Sequence, residues 1–338
     1  MSETEAKLPR ETIALYGHGL AEQTLLAAYQ SGRLPHAWLI GGEPGIGKAT
    51  LAYRFARFVL AHPDPSTPAV QRATSLALDP AHPVARRIAA QAEPGLRTLE
   101  RIVNPDTNKL YTVIRVEELR EVLAYFSLTG EPGTWRIAIV DTVDDLNASS
   151  ANALLKVLEE PPARALLLLV SNAPGRELPT IRSRCRRLLL RPLSDSEVAR
   201  ALADATGRDA DDAEVRQVAS AGFGSVARAL AWLDEDARAL RQHVLDVLAQ
   251  LPDPDPRALH ALGEALGGTD PQTLAAFMAL VNDWLSKRRA SGALPQQARV
   301  AEIWERVNQL GRDVDVYNLE RKPLVFSVFG ALAEAARG

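Results

Sequence analysis

The segment from Gly42 to Lys48, which reads GEPGIGK, has the glycine spacing and the final lysine of a phosphate-binding loop. It lies between an apolar run (37–41) typical of a strand and an amphipathic stretch (48–61) typical of a helix. In that context backbone N–H groups surround phosphate oxygens, and the lysine reaches the terminal phosphates. The candidate nucleotide-binding residues are Gly42, Gly45, Gly47, Lys48, Ala49, Thr50 and, further along the chain, Asp141.

The residue after Lys48 departs from the phosphate-loop pattern. A loop of this type carries Ser or Thr there, whose hydroxyl ligates Mg²⁺, and this chain has Ala49. Thr50 comes one residue later, about 100° further around the helix, which makes it a poor substitute for the missing ligand. The sequence leaves open whether ATP or ADP binds this loop or whether it is a glycine-rich turn without a ligand.

Asp141 ends the apolar run 136–141, where ATPases with this loop place an aspartate that works with the metal ion. The next residue is Thr142, and a threonine cannot act as the base for an attacking water. Asp144 and Asp145 follow in the loop, where we expect solvated or helix-capping roles. The missing metal ligand and the missing base both predict a nucleotide site that has lost hydrolysis.

The elements that position these residues alternate between strands and helices in the first half of the chain. Strands are predicted from the apolar runs 37–41, 136–141, 165–171 and 186–190, and helices from the amphipathic stretches 48–61, 113–126 and 148–160. Runs that are apolar throughout suit strands buried on both faces. We therefore expect an α/β fold with a parallel sheet.

After Leu190 the sequence shows helical periodicity alone. Ser194 and Glu197 form a capping box that opens a helix, and a proline-rich run (251–257) separates later helices. We predict a phosphate-loop domain at 1–191, a small helical domain at 192–238 and an all-helical domain at 239–338.

The composition limits the function. The 338 residues include 39 basic and 42 acidic side chains, a net charge of −3, so contact with nucleic acid requires a local basic patch. Cys185 is the single cysteine, which excludes an intrachain disulfide and a cysteine-rich metal cluster. The sequence has neither a signal-peptide pattern nor a run of about eighteen apolar residues, and we expect a cytoplasmic protein.

Two motifs carry a family resemblance. The stretch 152–162 reads NALLKVLEEPP, and 181–185 reads IRSRC. The pair resembles the clamp-loader branch of the AAA+ family, whose members carry an N-A-L-L-K-x-L-E-E-P-P helix and an S-R-C motif. The resemblance implies an AAA+ RecA-like parallel sheet with helices on both faces, followed by a small helical lid and an all-α collar domain.

The resemblance also assigns a role to Arg184. In the family this arginine projects toward the γ-phosphate of ATP bound to a neighbouring subunit, so Arg184 is the candidate trans-acting arginine finger. A planar, permanently charged guanidinium suits this task, because it contacts two phosphate oxygens and stabilises the charge that grows in the transition state. The competing interpretation is a solvated basic face formed by Arg182, Arg184, Arg186 and Arg187.

Several positions depart from the family pattern. The zinc-binding cysteines that are common after the phosphate-loop helix are absent from 62–98, so we expect no zinc. The lid motif G-S-x-R reads GSVA at 224–227, with Arg228 one position late. The polar sensor at the end of the fourth strand is either Ser171 or Asn172. The family's motor subunits, gamma and tau, would have all these features together with Gly-Lys-Thr and an Asp-Glu pair.

These departures favour a stator within the clamp loader that serves DNA replication. Such a subunit would give Arg184 to a motor subunit, would assemble with the delta subunit, and would act on the sliding clamp and primer–template DNA through the complex. It would require no cofactor and would catalyse nothing itself, and it would belong to the DNA polymerase III holoenzyme by membership alone. The alternative is an autonomous or motor-type AAA+ ATPase that binds and hydrolyses ATP.

Overall fold

The structure is a computed structural model that describes residues 7–104, 109–111, 113–127, 133–175, 179–267, 271–291, 294–317 and 319–337. The chain divides into two compact units, Met1–Ala229 and Leu230–Gly338. This division does not decide the three-domain boundaries expected at residues 191 and 238, which stay a prediction.

The first unit contains a five-stranded sheet in which all paired strands are parallel. The strands in chain order are β1 (Ala37–Gly41), β2 (Leu96–Glu100), β3 (Val103–Asn104), β4 (Lys109–Leu110), β5 (Arg136–Asp141), β6 (Ala165–Ser171) and β7 (Arg186–Leu189). The sheet has the order β2-β5-β6-β1-β7, and β3 pairs with β4 in a separate antiparallel ladder. The four strands expected from apolar runs are all present.

Along the chain, at least one helix separates each pair of successive strands of the five-stranded sheet. The helices of the first unit are α1 (Gly19–Gln30), α2 (Lys48–Ala61), α3 (Pro68–Gln71), α4 (Pro83–Ala89), α5 (Val116–Ser127), α6 (Ala148–Glu159), α7 (Pro179–Arg182), α8 (Asp195–Thr206) and α9 (Ala213–Ala221). The short α10 (Val226–Ala231) spans the division between the units. The capping box at the start of α8 is present, with Ser194 and Glu197 satisfying each other's backbone N–H groups.

Helices cover both faces of the sheet because its central strands are apolar on both sides. Successive residues of β6 alternate between the faces. Leu166 and Leu168 join one buried cluster with residues of α1 and α2, and Leu167 and Leu169 join another with residues of α5 and α6. The predicted fold class, a parallel α/β sheet with helices on both faces, is confirmed.

The second unit contains α11 (Glu235–Ala249), α12 (Pro256–Ala265), α13 (Pro271–Ser291), α14 (Leu294–Tyr317) and α15 (Arg321–Arg337). Its buried side chains recur every three or four residues, as in Leu274, Phe277, Val281 and Leu285 of α13. All of its described elements are helices, as the periodicity predicts. No helix in the described parts of the chain is long and apolar enough to cross a membrane.

The carboxyl ends of the central strands meet at one edge of the sheet. Gly41 at the end of β1 aligns with Ser171 at the end of β6, and Asp141 at the end of β5 aligns with Val170. The segment after β1, the turn after β5 and the end of β6 are therefore neighbours, which brings the candidate nucleotide-binding residues together.

Candidate nucleotide and arginine-finger sites

The segment Gly42–Gly47 joins β1 to α2, and its backbone requires glycine at position 45. Gly45 has φ of 74°, in the left-handed region that L side chains rarely adopt, and a Cβ there would lie 2.3 Å from Ser225 Oγ. The Gly45 carbonyl accepts hydrogen bonds from the N–H groups of Val226 (3.0 Å) and Ala227 (3.4 Å). The turn that leads into α10 therefore packs directly on the phosphate-loop segment.

His18 contacts the same segment. Its ring Nε2 donates a hydrogen bond to the carbonyl oxygen of Ile46 at 2.6 Å, and the side chain is buried. Burial lowers the pKa of His18, which favours the neutral ring. His18 is therefore a structural contact of the loop.

Lys48 begins α2 and is buried, with 4% of its surface exposed. Its Nζ donates a hydrogen bond to the carbonyl oxygen of Glu43 at 2.5 Å. Burial lowers the pKa of Lys48 to about 8, and the negative charges of Asp141, Asp144 and Glu43 oppose this shift. At pH 7 the Lys48 side chain is mostly protonated, so the loop retains a cation.

Asp141 lies at the end of β5 within the electrostatic reach of Lys48. Burial raises the pKa of Asp141 to about 6, Glu100 raises it further, and Lys48 lowers it. Burial thus shifts both the lysine and the aspartate toward their neutral forms. The attraction between the two groups is weaker than the cost of removing them from water.

The site fits a magnesium–nucleotide complex poorly. Ala49 offers no metal ligand, and Thr142, next to Asp141, donates its hydroxyl to Asp145 Oδ2 at 3.1 Å. No cluster of three His, Cys, Asp or Glu side chains among the described residues could hold a metal ion. The loop keeps its glycines and Lys48, and Asp141 is present at the end of β5, but Ala49 and Thr142 supply neither the hydroxyl ligand nor the general base that Mg²⁺-dependent hydrolysis uses.

Asp144 is exposed, as expected, and its carboxylate also has a structural role. It accepts hydrogen bonds from the backbone N–H groups of Asn172 (2.6 Å) and Ala173 (3.0 Å) and from the Ser171 hydroxyl (3.2 Å). These bonds fasten the turn after β5 to the end of β6. Ser171, one of the two sensor candidates, is fully buried in this contact.

Arg184 lies in the turn between α7 and β7, and 34% of its side chain is exposed. Its Nη1 donates hydrogen bonds to the Thr180 carbonyl (3.0 Å) and the Ser183 hydroxyl (3.3 Å). Its Nη2 lies 2.8 Å from Oε1 of Glu159, the last residue of α6. The candidate finger is therefore at the surface but held in place by three groups.

The residues around Arg184 differ from it in their contacts. Arg186 and Arg187 are exposed on β7, whereas Arg182 is half-buried and donates from Nη1 to the Gly175 carbonyl at 3.4 Å. Cys185 is half-buried and packs against the cluster of α5 and α6. The structure brings Glu159 to Arg184, a pairing that neither motif reveals alone.

Arg228, the arginine one position late in the lid motif, is engaged within its own turn. Its Nη1 donates to the Gly222 carbonyl at 3.2 Å, and its guanidinium carbon lies 6.0 Å from the centre of the Phe223 ring. Through these contacts Arg228 stabilises the turn that precedes α10.

A family model described as DNA polymerase III, delta subunit, matches residues 17–194. This span is more than half of the 338 residues and contains the phosphate loop, both motifs and Arg184. The chain belongs to this family. It is a DNA polymerase III clamp-loader family protein with an AAA+ fold, and the family recognised from the two motifs is confirmed.

Curated relatives carry two kinds of subunit name. DNA polymerase III subunit delta' of Pseudomonas aeruginosa is 33% identical over 150 residues, 44% of this chain and 41% of that protein. Subunit delta' of Escherichia coli is 32% identical over 50% of this chain and 46% of that protein. Subunit tau/gamma of Haemophilus influenzae is 27% identical over 75% of this chain and 35% of that protein. The chain thus spans less than half the length of these relatives.

Two solved structures from Thermotoga maritima resemble the fold. A DNA polymerase III gamma subunit-related protein has a TM-score of 0.39 and 15% identity, covering 94% of this chain and 100% of that chain. A RuvB mutant has a TM-score of 0.44 and 17% identity, covering 94% of this chain and 91% of that chain. The fold assignment rests on the sheet of the first unit and not on these likenesses.

Proposed function

We propose that the chain is a delta prime-type stator of a bacterial DNA polymerase III clamp loader and supplies Arg184 in trans to ATP bound by a neighbouring motor subunit. The observation that carries the proposal is the placement of Arg184, whose side chain is about one-third exposed and whose guanidinium is held by Glu159, Thr180 and Ser183. A cation presented in this way suits a phosphate that another chain binds.

The chemistry of the proposed role follows from the guanidinium. Negative charge spreads over the equatorial oxygens of the transferred phosphoryl group in the transition state. Arg184 would stabilise that charge because a guanidinium stays protonated and presents paired N–H donors in a planar fork. A lysine at this position would offer a point charge without the fork.

The state of the chain's own phosphate loop supports the same proposal. Ala49 removes the magnesium ligand, and Thr142 stands where a hydrolysing ATPase carries a base. We propose that the chain needs neither a bound nucleotide nor zinc for its role. ATP or ADP in this loop would be held without hydrolysis.

The proposed partners follow from the family. They are the gamma or tau motor subunits and the delta subunit, joined in a cytoplasmic hetero-oligomer through the helical second unit. The sliding clamp and primer–template DNA would be reached through the assembled complex.

The test is the DNA- and clamp-stimulated ATPase activity of a reconstituted loader that contains this chain. Arg184→Ala is expected to lower kcat by about tenfold or more, as loss of an arginine finger does. Lys48→Ala is expected to leave kcat nearly unchanged, because this loop is not a hydrolytic site in the proposal. Arg186→Ala is the matched control, since Arg186 is an exposed arginine on the adjoining strand. An unchanged rate in the Arg184 variant contradicts the proposal.

The second candidate function is a motor-type subunit that hydrolyses ATP. It is favoured by the length of the tau/gamma match, which covers 75% of this chain against 44% for the delta' of Pseudomonas aeruginosa. The isolated chain separates the two candidates. Hydrolysis that depends on Lys48 and proceeds at the rate of the assembled loader would identify a motor, and its absence would support the stator.

A further inference from the structure

Glu159 and Arg184 belong to different motifs, but the helices next to them, α6 and α7, pack into the same buried cluster. Glu159 ends α6, whose Leu154 and Leu158 are buried against the sheet. Arg184 follows α7, which is anchored by Ile181 in the same cluster. Because both backbones are fixed by one core, the distance between the two side chains is set by the packing of α6 and α7.

The carboxylate of Glu159 faces one end of the Arg184 guanidinium. Nη2 lies 2.8 Å from Oε1, while Nη1 is held by the Thr180 carbonyl and the Ser183 hydroxyl. The side chain of Glu159 is 50% exposed, so the pair is in contact with solvent. Nε of Arg184 has no hydrogen-bond partner among the described residues, which leaves a donor for an incoming phosphate oxygen.

Glu160 provides an internal comparison. It is the next residue in the same motif and is exposed, and it forms no ion pair within the described parts of the chain. Glu159 and Glu160 therefore have the same charge and size and are both exposed, but Glu159 contacts Arg184.

We propose that Glu159 is a positioning residue that orients the Arg184 guanidinium toward the neighbouring subunit's nucleotide, an inference that rests on the proposed arginine-finger function. A long arginine side chain on a turn samples many rotamers, and the ion pair reduces that freedom before the phosphate arrives. Since the pair is solvent-exposed, it is weak enough for the guanidinium to share its donors with phosphate.

The experiment uses the reconstituted loader and compares Glu159→Gln with Glu160→Gln. Glutamine keeps the shape of the side chain and removes its charge. We expect Glu159→Gln to lower the stimulated kcat by about two- to fivefold, the range that an exposed ion pair supports. The KM for ATP should not change, because the finger acts on the transition state and not on ATP binding. Glu160→Gln should match the wild type, and Glu159→Asp, which keeps the charge, should restore part of the rate.

A double variant tests whether Glu159 acts through Arg184. If it does, Glu159→Gln should have no further effect when combined with Arg184→Ala. A further loss in the double variant, an unchanged kcat in Glu159→Gln, or a raised kcat overturns the positioning role. A raised kcat would instead indicate that the contact with Glu159 keeps Arg184 away from the phosphate.

The outcomes also separate this inference from the proposed function. If Arg184→Ala lowers kcat but Glu159→Gln does not, the finger stands and the positioning role fails. If Arg184→Ala leaves kcat unchanged, the finger itself fails and the inference fails with it. Near-UV circular dichroism and size-exclusion chromatography of each loader check that the variant subunits fold and assemble.

Discussion

Asp141 and Asp144 lie in one short stretch at the carboxyl edge of the sheet, but their surroundings differ. Burial of Asp141 opposes ionisation and raises its pKa to about 6. Asp144 is exposed, and its carboxylate accepts hydrogen bonds from the backbone N–H groups of Asn172 and Ala173. Because one carboxylate is buried and the other is held by backbone N–H groups, we expect substitutions at the two positions to have different effects on stability.

Asp141→Asn is expected to raise the free energy of unfolding at pH 7. A carboxyl with a raised pKa in the folded state contributes stability that is fully present below its ordinary pKa of 3.8 and is lost as the pH rises through about 6. Asparagine does not ionise, so the variant does not lose this stability. We expect its free energy of unfolding at pH 7 to be higher by on the order of 1–3 kcal/mol and to change less between those pH values. Urea unfolding measured from pH 4 to pH 8 checks both.

Asp144→Asn is the matched control for this prediction. It removes a carboxylate that accepts hydrogen bonds from Asn172 and Ala173, so the free energy of unfolding should fall by about 1–2 kcal/mol. Equal destabilisation by the two substitutions would mean that the charge of Asp141 is favourable in the folded state.

At the scale of elements, α6 links the fold to the candidate finger. Its N-cap Asn147 accepts a hydrogen bond from the Ser150 N–H at 2.8 Å, its apolar face packs on the sheet, and it ends at Glu159 before Pro161 and Pro162. Proline has no backbone N–H and cannot continue the helix. The position of Glu159 beside Arg184 therefore follows from where α6 begins and ends.

Asn147→Ala is expected to lower the free energy of unfolding by about 1 kcal/mol, because the helix loses its N-terminal cap. Asn152→Ala is the control in the same helix, since Asn152 is exposed within its body, and it should have little effect. Thermal and chemical unfolding of both variants measure the difference. Similar losses for the two would show that the cap contributes nothing specific.

The elements also show which secondary structure a single sequence reveals. The strand at Ala165–Ser171 was predicted at its observed bounds, because all of its residues are buried and the run is apolar throughout. The edge strand β2 (Leu96–Glu100) was not predicted, because only Leu96 and Leu99 of its five residues are buried. An edge strand pairs on one side and faces solvent on the other, so its apolar signal is short.

At the scale of the whole molecule, each unit buries apolar side chains of its own. Both clusters that flank the sheet consist of residues from Leu15 to Leu190, and the second unit buries its own helical stripes. A unit with its own hydrophobic core folds as a domain in most proteins. The first unit should therefore fold in the absence of the second.

Residues 1–229 expressed alone are expected to give cooperative thermal unfolding and a near-UV circular dichroism spectrum of a packed core. A shorter fragment, 1–221, lacks Val226 and Ala227, whose N–H groups bond to the Gly45 carbonyl, and it should unfold at a lower temperature. If 1–229 has no cooperative transition, the first unit depends on the second for its stability.

The sequence by itself determined the family, the central strands, the helical second half and the identity of Arg184 as the residue of interest. These follow from local patterns: continuous apolar runs, helical periodicity and short motifs. It also located Ala49 and Thr142, the two departures from the phosphate-loop ATPase pattern.

The tertiary structure alone decided three contacts: Glu159 with Arg184, Asp144 with the end of β6, and Gly45 with the turn before α10. Each contact joins residues from separate elements. Which elements become neighbours depends on strand order, register and helix packing, and these arise when the whole sheet buries its two faces. A local sequence pattern does not specify that packing, so it is the tertiary structure that identifies Glu159 as the partner of Arg184.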